Sequence, residues 1–220
     1  MRKAIVSGAN GFVGSAVVKE LISQGYEVYA LVRENHYDQV PINEMVRIVP
    51  FSLENIEALG EVIPINEYEA FYHFAWNGSA GVDRADTALQ LKNAQWTVEC
   101  LQMAKRLGCK RFVPAGSIME HETIAAVYTQ GNRPGAGYIY GSGKVAAHMM
   151  CMSMAVKEGI NLVWPKITNA YGPSERSPRL VNSTIRKCIA GEDPQFTAGT
   201  QNYDFVYIDD VARAFRLIGE

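Results

Sequence analysis

The stretch Ala4–Gly14, AIVSGANGFVG, decides the fold, because an apolar strand runs directly into three glycines and a helical pattern follows. Such a turn brings backbone N–H groups against a pyrophosphate. Gly8 permits the tight turn, Gly11 leaves no Cβ between backbone and phosphate, and Gly14 allows the helix to pack closely on the strand. Glycine-rich turns also occur as simple breaks between elements. Their position after a strand and before an amphipathic segment favours nucleotide binding.

Composition indicates an ordinary globular protein and disfavours several classes of partner. The chain has 220 residues, enough for one large α/β domain or for one domain with a small appendage. A formal net charge of −2 offers no basic surface for nucleic acid, and no apolar run has the length of a membrane span. Four scattered cysteines show neither metal-ligand spacing nor a disulfide framework. We therefore expect a cytoplasmic protein with reduced cysteines, no metal, no nucleic-acid partner and no membrane attachment.

Apolar runs alternate with helical patterns along the chain, which predicts a doubly wound α/β fold with helices on both faces of a parallel sheet. After the first strand, further strands are predicted at Glu27–Val32, Glu69–Ala75, Arg111–Ala115 and Asn161–Lys166. Helices are predicted at Ser15–Gln24, Ala85–Leu107, Ser142–Glu158 and the amphipathic run Leu180–Ile189. The stretch Ile118–Gly137 contains three glycines and a proline, so we expect a long functional loop there.

A second motif, YGSGK at Tyr140–Lys144, places a tyrosine and a lysine four residues apart on one helix face. An ammonium near a phenol favours the phenolate, so Lys144 is expected to lower the pKa of Tyr140. The pair is common by chance, and a half-buried aromatic beside a solvated lysine is the alternative. Its position favours function, because Ser117 follows a predicted strand. The serine hydroxyl is therefore expected at the carboxyl edge of the sheet, where doubly wound sheets bind ligands.

Together these motifs resemble the extended short-chain dehydrogenase/reductase family, which includes NAD(P)-dependent nucleotide-sugar epimerases and dehydratases. The resemblance covers essentially the whole chain. It implies a Rossmann-type domain over residues 1–172, a partial substrate-binding lobe over 173–203, and a strand and helix over 204–220 that return to the first domain. The matching segments are the glycine spacing at Gly8, Gly11 and Gly14, together with Tyr72–Ala75, Asn93, Lys110–Val113, Asn169–Pro173 and Asp204–Val211.

The resemblance implies that Ser117, Tyr140 and Lys144 are catalytic. Tyr140, as phenolate, takes the proton from a sugar hydroxyl while hydride leaves the same carbon for the nicotinamide. Lys144 stabilises the phenolate and bonds the nicotinamide ribose, and Ser117 bonds the oxygen that becomes a carbonyl. Epimerisation, dehydration and reduction of a nucleotide sugar all stay open. A carbonyl reductase on a non-sugar substrate and a non-catalytic dinucleotide-binding protein are the alternatives.

The cofactor is expected to be NADP in preference to NAD. Members that prefer NAD usually carry a carboxylate at the end of the second strand, where this chain has Val32 followed by Arg33. A guanidinium suits a 2′-phosphate, although a solvated arginine beside Glu34 is the alternative. The cofactor-binding residues that the resemblance implies are Gly8, Asn10, Gly11, Phe12, Val13, Gly14, Arg33, Phe74, Ala75, Tyr140 and Lys144.

Several segments depart from the family's pattern. The run after Ser117 is unusual, so Met119 and Glu120 are expected on the substrate side together with Asn169; Glu120 either supplies acid or base chemistry or is a solvated loop carboxylate. Tyr203 stands where the family often has an arginine, so one substrate diphosphate contact is expected to be lost. His73 is interpreted as structural. The pair Asp209-Asp210 is interpreted as a helix N-cap.

The family usually has a substantial segment after the stretch Asp209–Val211, which completes the substrate lobe. Because this sequence ends at Glu220, we expect an open substrate cleft, with apolar residues of Leu180–Ile189 facing solvent or a second subunit. The predicted helix Ala85–Leu107 is the family's usual dimer face. A homodimer is therefore expected.

Overall fold

A computed structural model describes the whole chain, Met1–Glu220, and its centre is a parallel sheet. Six strands pair in this sheet, and the remaining four form two small two-stranded ladders. The ten strands are β1 (Lys3–Ser7), β2 (Glu27–Val32), β3 (Val46–Pro50), β4 (Tyr68–His73), β5 (Cys109–Pro114), β6 (Gly116–Ser117), β7 (Asn161–Leu162), β8 (Lys166–Ile167), β9 (Asn169–Tyr171) and β10 (Phe205–Tyr207).

The strand order β3-β2-β1-β4-β5-β7 contains one reversal of direction. From β1 the chain builds outward through β2 and β3, and then returns to place β4 on the other side of β1. All neighbouring strands are parallel. The reversal between β1 and β4 is the switch point at which doubly wound sheets bind ligands. The predicted α/β fold with a Rossmann-type sheet is therefore confirmed.

Helices cover both faces of the sheet, and each face has its own apolar cluster. On one face α3 and α5 pack on a cluster that includes Ile5 and Phe71; on the other, α1 and α7 pack on a cluster that includes Val6 and Tyr72. Neighbours along each strand point to opposite faces, since side chains alternate with a period of two. The seven α-helices are α1 (Phe12–Ser23), α2 (Leu59–Val62), α3 (Thr87–Leu107), α4 (Met119–Tyr128), α5 (Ile139–Glu158), α6 (Leu180–Ile189) and α7 (Ile208–Ile218).

The prediction of a long loop over Ile118–Gly137 was wrong, because helix α4 occupies its first half. The run that forms α4, MEHETIAAVY, contains neither glycine nor proline. The helix-breaking residues are all concentrated after it, between Gly131 and Gly137. A short 3₁₀ turn at Ala136–Tyr138 then leads directly into α5, which begins three residues before the predicted start at Ser142.

Other predicted boundaries also needed correction. The predicted strand Asn161–Lys166 divides into β7, which joins the main sheet, and β8, which pairs with β6 instead. Strand β3 was missed, because it lies at the sheet edge and buries only Val49 fully, so its pattern is not strongly apolar. The N-cap of α7 is Tyr207, so the N-cap interpretation of Asp209 and Asp210 was wrong. Both carboxylates lie in the first turn, where their negative charge interacts favourably with the positive end of the helix dipole.

The last part of the chain returns to the first helical layer. Strand β9 pairs in parallel with β10, and α7 then packs beside α1 in the same apolar cluster. Residues 173–203, predicted to be a substrate-binding lobe, carry α6. The apolar side chains Leu180, Ile185 and Ile189 of α6 are exposed. All four cysteines are free thiols, and no helix combines the length and apolar character needed to cross a bilayer.

Candidate functional site

A cavity of about 440 Å³ lies at the carboxyl ends of the central strands, above the switch point. Its wall runs from the glycine loop past the ends of β2 and β4 to Ser117, Tyr140 and Lys144. Every residue predicted to bind cofactor lines this one cavity, as does Ser117. The residues predicted on the substrate side, Met119, Glu120 and Asn169, do not line it.

The glycine loop has the geometry that a pyrophosphate requires. Gly8 adopts a left-handed φ of +66°, and a Cβ on Gly14 would overlap the carbonyl oxygen of Gly8. Gly11 is the N-cap of α1; it offers no capping side chain, and the first turn carries no acidic residue. The first N–H groups of α1 therefore remain free for an anion, and the helix dipole favours negative charge there. The loop fits the phosphates of a dinucleotide.

His73 ends β4 and does not line the cavity. Its Nδ1 lies 2.7 Å from the hydroxyl oxygen of Ser7 on the neighbouring strand β1, and the ring is buried. Burial lowers the pKa of His73 to about 3, so the imidazole is neutral at ordinary pH. The Ser7 hydroxyl also accepts from the backbone N–H of Ala75 at 3.4 Å. This contact ties β1 to the segment that follows β4.

The predicted catalytic residues come from two neighbouring elements. Ser117 ends β6, whereas Tyr140 and Lys144 lie on successive turns at the start of α5. Burial raises the pKa of Tyr140, while the nearby Ser117 side chain and then the Arg84 charge act to lower it. The expectation that Lys144 brings the pKa of this phenol below its ordinary value was therefore wrong for this structure.

Lys144 makes contacts of its own, and its ammonium lies 5.9 Å from the centre of the Tyr140 ring. Its ammonium donates to the carbonyl oxygen of Ala115 at 2.8 Å and lies 3.6 Å from the centre of the Trp76 ring. The side chain is buried, and desolvation lowers the pKa of Lys144 to about 7, although the charge of Glu120 acts in the opposite direction. The alternative of a solvated lysine is excluded.

Two residues beside Tyr140 were missed. The Trp76 ring meets the Tyr140 ring edge-on at 5.9 Å, and its Nε1 donates to Gln90 Oε1 at 2.8 Å. The guanidinium of Arg84 lies over the Tyr140 ring, 4.4 Å from its centre. Trp76 directly follows Tyr72–Ala75, a segment that matches the family's pattern, so the sequence contained a signal for its position near the site. Arg84 had none, because no spacing rule links it to Tyr140.

Glu120 is neither a solvated loop carboxylate nor a residue of the cavity wall. It lies in the first turn of α4, is 1% exposed, and accepts a hydrogen bond from the backbone N–H of Ser117 at 2.8 Å. Met119 turns its backbone N–H to the Ser117 hydroxyl at 3.2 Å. Asn169 donates to the Asp204 carbonyl at 3.4 Å. The helix at Met119–Tyr128, missed from sequence, places Glu120 in a buried position, and neither Met119 nor Glu120 lines the cavity.

Other side chains line the cavity near Tyr140. They come from the loop after β4 and from the segment between β9 and α6: Asn77, Ser79, Glu175, Ser177 and Arg179. Tyr203 does not line the cavity and stacks on Phe205 with ring centres 5.4 Å apart. At the opposite end, Val32 and Arg33 both line the cavity, and Val32 is buried at the end of β2.

Comparisons with known proteins agree with this arrangement. The model of the NAD dependent epimerase/dehydratase family matches residues 4–220. UDP-glucuronic acid decarboxylase 1 from Xenopus tropicalis is 26% identical over 221 residues, which cover 96% of this chain and 52% of that protein. The chain thus spans about half the length of this relative. dTDP-6-deoxy-L-talose 4-dehydrogenase (NAD(+)) from Aggregatibacter actinomycetemcomitans is 26% identical over 217 residues, covering 94% of this chain and 76% of that protein.

A solved structure shows the same fold. UDP-N-acetylglucosamine 4-epimerase from Methanobrevibacter ruminantium M1, in complex with UDP-N-acetylmuramic acid, superposes with a TM-score of 0.81. The two chains are 20% identical, and the match covers 99% of this chain and 73% of the other. The resemblance that the motifs indicated is therefore confirmed at the level of family and fold.

Proposed function

The chain belongs to the NAD dependent epimerase/dehydratase family, and from that membership we propose that it binds a nicotinamide dinucleotide and acts on a nucleotide sugar. One observation carries the proposal. The glycine loop and the Ser117, Tyr140 and Lys144 side chains line the same cavity, although they lie more than 100 residues apart in the sequence. A protein that only bound a nucleotide would not need the second group of residues.

The residues near Tyr140 have the chemistry for moving a proton at a substrate hydroxyl. A bound nicotinamide supplies a hydride acceptor and donor. Tyr140, once ionised, accepts the proton of a sugar hydroxyl, and Ser117 donates a hydrogen bond to the oxygen as it gains carbonyl character. Burial raises the pKa of the phenol, which makes the phenolate a stronger base once it is formed. Arg84 and Ser117 offset part of that rise.

Lys144 has enough hydrogen-bond donors to bond a cofactor ribose while its positive charge acts on Tyr140. An ammonium has three N–H donors, and one of them bonds the carbonyl oxygen of Ala115. The remaining donors are free to bond a ribose hydroxyl, while the positive charge favours the Tyr140 phenolate. The low pKa of Lys144, about 7, means that contact with an anionic group would also help to keep the ammonium protonated.

The proposed cofactor is NAD. The family is described as NAD dependent, and one relative is named as an NAD(+) enzyme, so the comparisons do not support the NADP preference expected from the sequence. Arg33 nevertheless lines the cavity beyond the end of β2. We propose that Arg33 decides how well a 2′-phosphate is tolerated, because a guanidinium bonds phosphate oxygens strongly.

The proposed substrate class is supported by the relatives. Their names include a UDP-glucuronic acid decarboxylase, a dTDP-sugar dehydrogenase and a UDP-sugar epimerase. Epimerisation, dehydration and reduction all begin or end with hydride transfer at a carbon that bears a hydroxyl group, coupled to movement of the hydroxyl proton, and that proton is the one Tyr140 would accept or donate. The side chains of Ser177 and Arg179 supply polar groups to the same cavity.

We also propose a homodimer that pairs through α3 and α5. A groove of about 780 Å³ lies between these helices, and large apolar side chains on them are exposed. Leu91 is 60% exposed, Met149 65% and Met150 57%. Apolar surface of this kind on two adjacent helices is typical of a protein–protein interface.

A screen tests the enzymatic proposal. The protein is incubated with NAD and a panel of UDP-, dTDP-, CDP- and GDP-sugars, and the products are identified by mass spectrometry, with Tyr140→Phe as the matched control. Conversion of at least one nucleotide sugar by the wild type, lost in the variant, supports the proposal. NAD binding without conversion of any panel member would contradict it and favour a binding protein.

A further inference from the structure

Glu120 accepts hydrogen bonds from several different elements while it is almost completely buried. Its Oε1 accepts from the Ser117 backbone N–H at 2.8 Å and from Trp164 Nε1 at 3.1 Å. Its Oε2 lies 2.9 Å from His148 Nδ1 and 4.0 Å from Lys166 Nζ. A buried carboxylate is costly unless its oxygens are bonded. Here every donor comes from a segment outside α4.

His148 extends this network to the helix that carries the site. Tyr140, Lys144 and His148 follow one another at intervals of four residues on α5, so they lie on one face of the helix. The His148 ring also stacks on Trp164, with ring centres 4.5 Å apart and planes 1° from parallel. The imidazole is therefore restrained by both a hydrogen bond and a stack.

Gly116 shows how closely this network approaches the backbone of β6. A Cβ at Gly116 would lie 2.5 Å from Trp164 Nε1 and 2.8 Å from Glu120 Oε1. Strand β6 pairs with β8 over only two residue pairs. Backbone bonds flank Ser117, from the Gly116 N–H to the Pro165 carbonyl and from the Ile118 N–H to the Ile167 carbonyl. The N–H of Ser117 itself is bonded by Glu120, which therefore adds a side-chain restraint to the short ladder.

We propose that Glu120 and His148 are positioning residues, which together fix Ser117 relative to the face of α5 that carries Tyr140 and Lys144. This inference rests on the proposed function, because it concerns the geometry of that site. Glu120 holds the backbone of Ser117, and His148 holds Glu120 from a point one helical turn beyond Lys144. The charge of Glu120 also helps to keep Lys144 protonated, which agrees with the proximity of the network to the site.

Substitutions at Glu120 separate positioning from charge. Glu120→Met keeps the volume but removes both acceptors, so Ser117 loses its restraint. Glu120→Gln keeps one acceptor oxygen for Ser117 and Trp164, and its amide can donate to His148 in the other imidazole tautomer. Glu122→Gln, at an exposed position on the same helix, is the matched control. His148→Phe retains the stack on Trp164 but removes the bond to Glu120.

Two measurements are made on each variant of the full chain. The first is turnover of UDP-glucuronic acid with NAD, together with the Kd for NAD from fluorescence. We expect Glu120→Met to lower kcat about 100-fold and His148→Phe about 10-fold, as a misplaced catalytic group does. The charge of Glu120 is lost in both Glu120→Met and Glu120→Gln, so the difference between these two variants reports the hydrogen bonds. We expect Glu120→Gln to stay within about fivefold of wild type in kcat and Glu122→Gln to match the wild type in both kcat and the Kd for NAD.

The second measurement is hydrogen exchange at the Ser117 amide by NMR, which needs no substrate. Exchange at least tenfold faster in Glu120→Met, but unchanged in Glu120→Gln, supports positioning. If the wild type converts neither UDP-glucuronic acid nor any other nucleotide sugar of the panel, the proposed function fails, and amide exchange alone decides the positioning proposal. Equal effects of Glu120→Gln and Glu120→Met, or unchanged exchange in a folded Glu120→Met, would overturn it. If Glu120→Met does not fold, His148→Phe decides by the same exchange criterion.

Discussion

The ammonium of Lys144 lies 3.6 Å from the centre of the Trp76 indole ring while it donates to the Ala115 carbonyl. A cation over an aromatic face is stabilised by the ring quadrupole, but less than it would be by water or by a carboxylate. The pKa of Lys144 is accordingly lowered to about 7 by burial. The lysine is therefore held in the cavity at a cost in stability.

The first prediction concerns that cost. In the unfolded chain Lys144 has its ordinary pKa of 10.5, so between about pH 7 and 10.5 the unfolded state binds the additional proton. The folded protein is destabilised most below pH 7, where the buried Lys144 is charged, and this destabilisation is relieved as the pH rises to 10.5. Lys144→Met should therefore raise the melting temperature more at pH 6.5 than at pH 9.5. Lys19→Met, at an exposed position on α1, is the control. A pH-independent difference would contradict the burial of a charged lysine.

The second prediction compares two glycines of the same loop. Gly11 has an extended backbone with φ −80° and ψ 170°, so valine fits there, although its Cβ would lie 3.2 Å from the Gly8 carbonyl oxygen. Gly11→Val should fold yet lose its fluorescence response to NAD, because a branched side chain occupies the phosphate position. Gly14→Ala should instead reduce folding stability, since its Cβ overlaps Gly8. Unchanged NAD affinity in folded Gly11→Val would refute the assignment of the phosphate site.

Arg33 carries the third prediction. If its guanidinium meets a 2′-phosphate, Arg33→Ala should weaken NADP binding by about 10- to 150-fold, which corresponds to about 1.5–3 kcal/mol for a charge-assisted hydrogen bond. The Kd for NAD should stay within about twofold of wild type. Titration of the same preparation with both cofactors measures the ratio directly. Equal weakening of both would show that Arg33 does not contact that phosphate.

Tyr140→Phe is the fourth prediction, and it separates binding from chemistry. The ring contacts with Trp76 and Arg84 are retained because only the hydroxyl is removed. We therefore expect the Kd for NAD to change less than about twofold. Turnover should fall by about 10²–10⁴-fold, which is the usual contribution of a general base. Single-turnover kinetics with a nucleotide sugar that the wild type converts measure the loss. Turnover near the wild-type rate would show that another group accepts the proton.

The fifth prediction concerns the subunit interface. The chain has a mass of 24.3 kDa, so light scattering should give about twice that value for a dimer. Met150→Glu should yield monomers, because it places a charge in the apolar face between α3 and α5. Ile185→Glu on α6 tests the other exposed apolar surface, and Val127→Glu on α4 is the control. A monomeric wild type over a wide concentration range would contradict the proposal.

The sequence predicted the cavity residues around the glycine loop better than those around Tyr140. Glycine spacing, the strand ends and the Tyr140–Lys144 interval are local patterns, and each reports a fixed backbone geometry. All of them lead to residues that line the cavity. The residues around Tyr140, by contrast, come together only through tertiary packing. Arg84 reaches the Tyr140 ring from a 3₁₀ turn 56 positions earlier, and no local pattern encodes such a contact.

Glu120 shows why the loop after Ser117 was interpreted incorrectly. A carboxylate beside two other titratable residues, in EHE, is typical of an exposed segment. The partners that make its burial possible, Trp164 and His148, lie on α5 and in the segment beyond it. The glycines and proline after Gly131 extended the apparent loop backward over residues that are helical. A burial prediction from sequence would have required knowledge of those distant partners.

The division between the main sheet and the small β6–β8 ladder has a consequence for how the molecule can fluctuate. The six-stranded sheet and its two apolar layers form one cooperative unit, whereas β6 and β8 share only two residue pairs. Local opening costs least where few backbone bonds and few apolar contacts are broken. Opening of the small ladder, together with loss of the bond from the Ser117 N–H to Glu120, would therefore detach Ser117 while the glycine loop and its strand keep their native structure. Under the proposed function, a molecule in that partly open form would still hold its nucleotide but would not react.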